Sequence, residues 1–496
     1  MKYVSTRGGG ETYSASETIV KGIASDGGLF VPSSFPTIDG QFIDALADLS
    51  YPERVAKVLA LYMDEFDEEE LLGYAQKAYS RFDGDPCPVV KIEDNLFVME
   101  LWHGPTFAFK DMALTMLPHL VVASKKKLGI DEKTLVLVAT SGDTGKAALE
   151  GFKDVEGSEI LVFFPEKGVS KMQKLQMVTQ EGSNLSVVGI KGNFDDAQRA
   201  VKEIFCDDEV VDALHKNGKA MSSANSINWG RLAPQIAYYI SAYADLVACG
   251  EIENGDKINF VVPTGNFGNV LAGYYGYKMG LPVNKLIVAS NANNVLVDFF
   301  NSGVYSVKRD FYKTASPSMD ILVSSNLERL LYELSGRDST LIREVYKDLK
   351  EKGEFTFDKA LLDDSIFEAG WADEEETKEA IYNYFDLDDV TFDPHTAVAG
   401  SVYNDYSIDT DDDTTTVIVS TASPYKFASD VLEGLTGKRE KDPLKAMLKL
   451  QYESGLDCPG EIYYLSEKKV LHTKVIEKFE AKQAVLDFAL NGNTRG

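Results

Sequence analysis

Residues 134–149, TLVLVATSGDTGKAAL, place a short apolar run directly before a polar, glycine-containing loop and a helix-forming segment. A continuous apolar run of this length is typical of a parallel strand that is covered on both faces. The same order of strand, loop and helix recurs between residues 89 and 420. It predicts an α/β fold with a parallel or mostly parallel sheet. Ligands of such sheets bind in the loops beyond the carboxyl ends of the strands.

The composition bounds the size and the partners of the protein. The chain has 496 residues, of which 44% are apolar and 26% charged, so a large core and more than one domain are expected. Its net charge of −28 disfavours nucleic acid and anionic membrane surfaces as partners. The sequence shows no signal peptide and no apolar segment long enough to span a bilayer. We therefore expect a cytoplasmic protein with no membrane partner.

The cysteines and histidines have no spacing that is typical of a metal site. The four cysteines, Cys87, Cys206, Cys249 and Cys458, form no CxxC pair and are predicted to be buried thiols in a reducing compartment. The five histidines are scattered, and the acidic runs lack the spacing of an EF-hand. The sequence thus predicts no metal centre.

The chain divides into three predicted parts. Residues 1–92 form a leading unit with glycine-rich turns, and residues 83–88 (DGDPCP) have the composition of a linker. Residues 93–435 hold the repeated strand and helix pattern. Residues 436–496 are predicted to be a C-terminal helical cap with one short strand.

Lys110 lies between two apolar segments, residues 107–109 before it and 112–114 after it. We expect it at the start of a helix, beside a turn made by Gly104 and Pro105. Burial would lower its pKa and leave more free amine, which can attack a carbonyl carbon. The alternative is a lysine whose stem packs on apolar neighbours while its ammonium group reaches water.

Two polar loops follow predicted strands. Residues 265–269, GNFGN, precede a helix, and their backbone N–H groups predict an anion site, although the loop is also compatible with an ordinary turn. Residues 141–146 end like a Walker A motif, but Thr140 and Ala147 occupy positions that need Gly and Ser/Thr, which disfavours a nucleoside triphosphatase. No GxSxG supports a hydrolase. A lysine in an apolar frame and a phosphate cradle together indicate pyridoxal phosphate held on Lys110 as a Schiff base.

The sequence resembles the threonine synthase family, within the tryptophan-synthase-like (fold type II) group of pyridoxal-phosphate enzymes. The segments that carry the resemblance are STRG (5–8), GLFVP (28–32), HGPTFAFKD (103–111), ATSGDTG (139–145), 170–177, NSINW (225–229) with Arg231, GNFGN (265–269) and STASPYKF (420–427). The leading segments separate this family from its lyase and dehydratase relatives. The resemblance implies two open, mostly parallel α/β lobes with the cofactor cleft between them, plus an N-terminal domain.

The resemblance also implies a reaction and a set of site residues. The reaction takes O-phospho-L-homoserine and water to L-threonine and phosphate by γ-elimination and then β-addition of water, the last step of threonine biosynthesis. The implied catalytic residue is Lys110, which also holds the cofactor. The other implied cofactor-binding residues are Gly265, Asn266, Phe267, Gly268, Asn269 and Thr421, the last facing the pyridine nitrogen. The implied substrate-binding residues are Ser141, Gly142, Asp143, Thr144, Lys171 and Arg231, with Lys174 and Arg7 as further candidates for the substrate phosphate.

Asp143 departs from the pattern of many fold type II relatives, which have Asn at this position. Because an ionised carboxylate would repel the phenolate of the cofactor, Asp143 is not assigned to that oxygen. Three alternatives stay open: another fold type II lyase (threonine dehydratase-like or a phospho-lyase), a catalytically inactive relative that binds ligands, and an acidic interaction scaffold. The sequence leaves the oligomeric state open, with a monomer favoured, and says nothing of allosteric effectors.

Overall fold

A computed structural model describes residues 1–140, 142–166, 169–205 and 207–491. These ranges hold fifteen strands: β1 (Tyr3–Ser5), β2 (Phe30–Pro32), β3 (Val89–Glu93), β4 (Leu96–Glu100), β5 (Lys133–Ala139), β6 (Ser158–Pro165), β7 (Leu185–Lys191), β8 (Lys219–Ser222), β9 (Ile258–Pro263), β10 (Val283–Ser290), β11 (Val304–Ser306), β12 (Glu354–Thr356), β13 (Phe367–Trp371), β14 (Thr416–Ser420) and β15 (Val475–Glu477).

The same described ranges hold the following α-helices: α1 (Ala15–Lys21), α2 (Gly40–Asp44), α3 (Tyr51–Tyr62), α4 (Glu68–Tyr79), α5 (Asp111–Leu114), α6 (Leu117–Lys127), α7 (Asp143–Phe152), α8 (Lys171–Val178), α9 (Phe194–Phe205), α10 (Asp208–Lys216), α11 (Trp229–Ala248), α12 (Gly268–Met279), α13 (Val295–Ser302), α14 (Leu327–Leu334), α15 (Ser339–Lys352), α16 (Lys359–Asp363), α17 (Glu374–Asp388), α18 (Pro394–Thr410), α19 (Ala428–Thr436), α20 (Pro443–Ser454), α21 (Gly460–Tyr463) and α22 (Ala481–Asn491). None of them has both the length and the apolar character needed to cross a membrane.

Two α/β sheets dominate the fold. The first has six strands in the order β13-β10-β9-β14-β4-β3, all parallel except β3, which pairs antiparallel with β4 at one edge. The second has five parallel strands in the order β15-β7-β6-β5-β8. β5 is buried along most of its length, as its continuous apolar run predicts. The predicted α/β fold with mostly parallel sheets is therefore confirmed.

Helix α11 lies at the centre of the molecule. Most of its twenty residues are buried, and it packs against α3, α5 and α12. The hydroxyl groups of Tyr238 and Tyr239 both donate to the side-chain oxygen of Asn269, at 2.6 and 2.8 Å, which ties α11 to the start of α12. Since α5 follows Lys110 and α12 follows the GNFGN loop, one central helix supports both segments.

The predicted burial of the cysteines is only partly confirmed. The cysteine prediction is wrong for Cys249, which is exposed because it ends α11 at a surface turn, and Cys458 is only partly buried. Cys87 is a buried thiol as predicted, and Cys206 lies outside the described residues. The short strand that the sequence predicts in the C-terminal part is β15, which extends the five-stranded sheet, and α22 packs on α9 and α10.

Candidate active site

The carboxyl ends of three neighbouring parallel strands carry the predicted cofactor residues. β14 lies between β9 and β4 in the six-stranded sheet. β9 runs into the GNFGN loop, β14 ends immediately before Thr421, and β4 leads to Lys110. Because these strands are parallel, their carboxyl ends meet at the same edge. Segments that are far apart in the chain are thus adjacent in space.

Lys110 lies where a helix begins, as predicted, immediately before α5. The turn before it is fixed by Asp111, whose carboxylate accepts hydrogen bonds from the backbone N–H and the hydroxyl of Thr106, both at 2.7 Å. A Cβ on Gly104 would lie 2.6 Å from the Asp111 side chain, so this turn needs glycine. The N–H of Phe109 donates to the carbonyl of Thr421 at 2.8 Å, which sets Lys110 beside the end of β14.

The electrostatic surroundings of Lys110 favour a free amine. Burial has the largest effect on Lys110, the charges of Lys426 and Arg231 act in the same direction and Asp143 opposes them, and together they lower its pKa to about 8. At that pKa a sizeable fraction of the amine is neutral near physiological pH. The Nζ atom donates to the hydroxyl of Ser318 at 3.1 Å. As a whole residue Lys110 is only partly buried, so part of its side chain still reaches solvent.

The GNFGN loop is held by its carbonyl groups. The carbonyl of Gly265 accepts from the Ser324 hydroxyl at 2.8 Å, and that of Asn266 accepts from the Asn326 side chain at 2.9 Å. Phe267 has a φ of 62°, a left-handed conformation that turns the chain into α12. The N–H groups of the first turn of α12 have no partner carbonyl within their own helix. These N–H groups can therefore bind an anion, which is consistent with the predicted phosphate cradle.

The loop after β5 contributes a buried ion pair. Asp143, at the start of α7, lies 3.0 Å from the ammonium group of Lys426, and their side chains are 4% and 2% exposed. Gln173 donates to the same carboxylate at 3.2 Å. Burial alone would raise the pKa of Asp143, but the charges of Lys426 and Lys110 hold it well below its ordinary value. The Asp143 carboxylate is thus ionised, and the ammonium group of Lys426 balances its charge.

The other predicted substrate-binding residues of this loop differ in how far they are buried. Gly142 is buried, and a Cβ there would lie 2.4 Å from the Gln173 side chain. Thr144 is partly buried in the first turn of α7. Ser141 lies outside the described residues. Whether these residues bind the substrate carboxylate stays a prediction.

The four basic candidates for the substrate phosphate differ in their surroundings. Arg231 is buried, donates to the carbonyl of Ala224 at 2.9 Å, and its Nε is one of the buried polar atoms without a hydrogen-bond partner in the described part of the chain. Lys171 is 61% exposed and lies 3.8 Å from an acidic side chain. Lys174 lies over the ring of Phe164.

Arg7, the fourth candidate, is already engaged. It forms a two-pronged ion pair with Glu328, at 3.0 and 2.8 Å, and Glu328 is only 3% exposed. Its charge is therefore committed to a buried carboxylate. Of the four candidates, Arg231 is the one whose electrostatic effect reaches Lys110.

The structure adds residues that were not predicted as site residues. Lys426 lies in the segment STASPYKF, and the need of Asp143 for a buried counter-charge is a signal that could have indicated it. Ser318 and its partner His395 had no local sequence signal, because Ser318 contacts Lys110, and His395 contacts Ser318, through tertiary structure alone. Among the described residues, no group of three or more His, Cys, Asp or Glu side chains could hold a metal ion.

Comparison with known proteins shows which family the chain belongs to. Residues 2–79 match the family described as "Threonine synthase N terminus", and residues 86–422 match "Pyridoxal-phosphate dependent enzyme". The chain belongs to the threonine synthase family of pyridoxal-phosphate-dependent enzymes. It is 35% identical to threonine synthase of Schizosaccharomyces pombe, an alignment that covers 92% of this chain and 94% of that one.

Further relatives agree in sequence and in structure. The chain is 38% identical to human threonine synthase-like 1, with 95% of this chain aligned, and it spans 64% of the length of that relative. It is similar to the crystal structure of PLP-bound threonine synthase from Brucella melitensis, with a TM-score of 0.88, 35% identity and 100% of both chains covered. This likeness confirms the predicted fold type II architecture with its N-terminal domain.

The residues of this site fit pyridoxal phosphate. The required groups are an amine for the aldehyde, amide N–H groups for the phosphate and a hydroxyl for the pyridine nitrogen. Lys110, the start of α12 and Thr421 carry such groups and lie at adjacent strand ends. A Cβ on Gly265 would lie 2.6 Å from the carbonyl oxygen of Ser318, so the loop approaches this segment as only glycine allows.

Proposed function

We propose that this protein converts O-phospho-L-homoserine and water to L-threonine and inorganic phosphate, with pyridoxal phosphate bound to Lys110. The observation that carries the proposal is the position of Lys110 at the carboxyl edge of β4, β14 and β9, with Ser318 connecting its amine to the GNFGN loop and with Thr421 beside it. The match of residues 2–79 to the threonine synthase N terminus favours this reaction over that of other fold type II lyases.

In this proposal the chain's own residues bind the substrate and move its protons. When bound, pyridoxal phosphate supplies an electron sink for negative charge that develops on the substrate carbons. Lys110 Nζ accepts and returns protons at these carbons, because an amine with a pKa of about 8 is a competent base near neutral pH. One mobile amine can serve several carbons in turn, since its side chain has four rotatable bonds.

Two further groups are assigned to the substrate. Arg231 binds its phosphate, since it is a buried cation with an unpartnered Nε among the described residues, and it lies close enough to lower the pKa of Lys110. The backbone N–H groups of Asp143 and Thr144 bind its carboxylate, because that of Gly142 already donates to the Thr140 hydroxyl at 3.0 Å. Lys426 neutralises Asp143 at 3.0 Å, so the carboxylate of the substrate meets no net negative charge there.

We also propose a division of the chain into an N-terminal unit (1–92), a catalytic region (93–435) and a C-terminal part (436–496). The first part meets the six-stranded sheet at its antiparallel edge strand, β3. The last part joins the five-stranded sheet through β15. A cytoplasmic location and a monomeric state complete the proposal. Size-exclusion chromatography with light scattering measures the oligomeric state directly.

The decisive experiment supplies the purified protein with O-phospho-L-homoserine. The proposal predicts that L-threonine and inorganic phosphate appear together in equal amounts. Formation of 2-oxobutyrate without threonine would instead indicate a lyase that stops after elimination. No turnover by protein that carries bound pyridoxal phosphate would refute an enzymatic role on this substrate.

Attachment of the cofactor is tested separately. The purified protein should show a visible absorbance band, and borohydride should fix the cofactor to Lys110, as located by peptide mass spectrometry. Lys110→Ala should lack the band. The matched control is Lys133→Ala, because Lys133 is an exposed lysine at the start of β5, and this variant should keep both band and turnover.

A further inference from the structure

Ser318 touches both the reacting amine and the phosphate loop. It lies in a 3-10 turn, Pro317–Met319, in the connection between β11 and α14. Its hydroxyl accepts a hydrogen bond from Lys110 Nζ at 3.1 Å. Its carbonyl oxygen lies 2.6 Å from the position that a Cβ on Gly265 would occupy. One residue thus connects the cofactor-binding amine with the loop that would hold the cofactor phosphate.

A buried histidine and aspartate hold Ser318 in place. The backbone N–H of Ser318 donates to His395 Nε2 at 3.1 Å, and His395 Nδ1 lies 2.7 Å from Asp393 Oδ1. Because Nε2 accepts this hydrogen bond, the ring proton belongs on Nδ1, where Asp393 accepts it. His395 is 3% exposed and Asp393 is fully buried, so neither group exchanges its partner for water.

The same aspartate also reaches the other end of the cofactor site. Its second oxygen, Oδ2, accepts from the backbone N–H of Thr396 at 3.2 Å and from the Thr396 hydroxyl. That hydroxyl oxygen in turn accepts the backbone N–H of Thr421 at 3.3 Å. Asp393 is therefore a single anchor for Ser318, beside Lys110, and for Thr421, the predicted partner of the pyridine nitrogen.

We propose that Ser318 is a further catalytic residue, whose hydroxyl receives Lys110 Nζ when that amine is not bonded to the cofactor, and that His395 and Asp393 are its positioning residues. A free lysine side chain has four rotatable bonds and would otherwise lose its alignment with the reacting carbon. The contact is a hydrogen bond only, with the protons of Nζ staying on nitrogen. The inference rests on the proposed attachment of pyridoxal phosphate to Lys110 but not on the identity of the substrate.

Recapture of the cofactor tests this contact without any substrate. Protein freed of cofactor is mixed with pyridoxal phosphate at about pH 9.5, where an amine of pKa near 8 is already neutral, so differences report alignment. Ser318→Ala keeps the backbone N–H that His395 accepts and loses only the hydroxyl. We expect absorbance at the cofactor band to develop about tenfold more slowly than in the native protein. The control Ser302→Ala, an exposed serine at the end of α13, should match the native rate.

Binding of pyridoxine 5′-phosphate checks that the site is intact, because this analogue has no aldehyde and cannot bond to the amine. Ser318→Ala should bind it within about twofold of the native affinity, since no phosphate contact is removed. A native capture rate in Ser318→Ala would overturn the proposal. A loss of analogue binding equal to the loss in capture rate would also overturn it, because it would assign Ser318 to the phosphate cradle.

Variants of His395 separate positioning from simple structural support. The amide oxygen of His395→Gln can still accept the Ser318 N–H, whereas His395→Leu cannot. The rate of cofactor capture in the Gln variant should stay within about threefold of the native rate. In the Leu variant it should fall to the rate of Ser318→Ala. Equal rates in the two variants would refute the positioning role. If phosphohomoserine is turned over, kcat should fall about tenfold in Ser318→Ala with KM little changed, and absence of turnover in the native protein would refute only the proposed substrate.

Discussion

Replacing Lys426 with methionine removes the cation of the buried Asp143–Lys426 pair while it keeps a side chain of similar length. The two side chains are 2% and 4% exposed and lie 3.0 Å apart, so the carboxylate would be left buried with Gln173 and the more distant Lys110 as its support. Breaking a buried pair by removing one partner costs about 3 to 5 kcal/mol. The Lys426 ammonium also donates to the carbonyl of Thr106 at 2.7 Å, and that hydrogen bond would be lost as well.

The expected change in melting temperature follows from the size of the chain. Unfolding entropy scales at about 2.1 cal/mol/K per residue, so 496 residues unfolding in one transition give roughly 1 kcal/mol/K. The loss of about 3 to 5 kcal/mol therefore lowers Tm by about 3 to 5 °C at pH 8. The measurement is differential scanning calorimetry on cofactor-free protein, so that altered cofactor binding does not add to the shift.

The pH dependence of this shift has a definite sign. In the native protein the pKa of Asp143 is held below its ordinary value, so its contribution to stability is present above that value and is lost only in acid. Without Lys426, burial dominates and raises the pKa of Asp143, so the folded variant takes up a proton as the pH falls. The difference in Tm between native protein and Lys426→Met should therefore narrow between about pH 8 and pH 5.

Two controls decide the interpretation. Lys449→Met breaks an ion pair of 2.7 Å whose lysine is 57% exposed, and it should change Tm by less than about 1 °C. The double variant Lys426→Met with Asp143→Asn removes both charges of this pair, so neither is left unpaired, and it should recover most of the lost Tm. A single variant as stable as the native protein, or a double variant no better than the single one, would refute the buried-pair argument.

Three further predictions concern the site. Gly265→Ala places a Cβ 2.6 Å from the carbonyl oxygen of Ser318, so the affinity for pyridoxine 5′-phosphate, measured by calorimetry, should fall about tenfold or more, and native affinity would contradict the tight approach. The rate at which the cofactor-free protein captures pyridoxal phosphate should rise with pH and level off above about pH 8, because the buried Lys110 amine loses its proton there; a rise that continues to the ordinary lysine range would disprove its lowered pKa. Arg231→Met should raise KM for O-phospho-L-homoserine at least about tenfold, whereas Lys171→Met should leave it within about twofold, and the reverse order would move the phosphate site to the surface.

The sequence alone determined the main elements and indicated Lys110 as the candidate reactive amine. The continuous apolar run before the loop at residues 140–145 predicted a buried parallel strand, and β5 has that form because local hydrophobicity reflects burial on both faces. Lys110 stood out as a charge within an apolar frame, and the GNFGN loop as a strand-to-helix turn. These signals are local, so a reading of neighbouring residues could find them.

Only the tertiary structure decided which distant residues share the site. The sheet order β9-β14-β4 sets Thr421 between Lys110 and the GNFGN loop, and no local pattern encodes strand order. Lys426 meets Asp143, and Ser318 meets Lys110, across long stretches of chain. A buried charge or amine requires a partner, but the sequence does not say which one, because the partner is chosen by packing between elements that are remote in the chain.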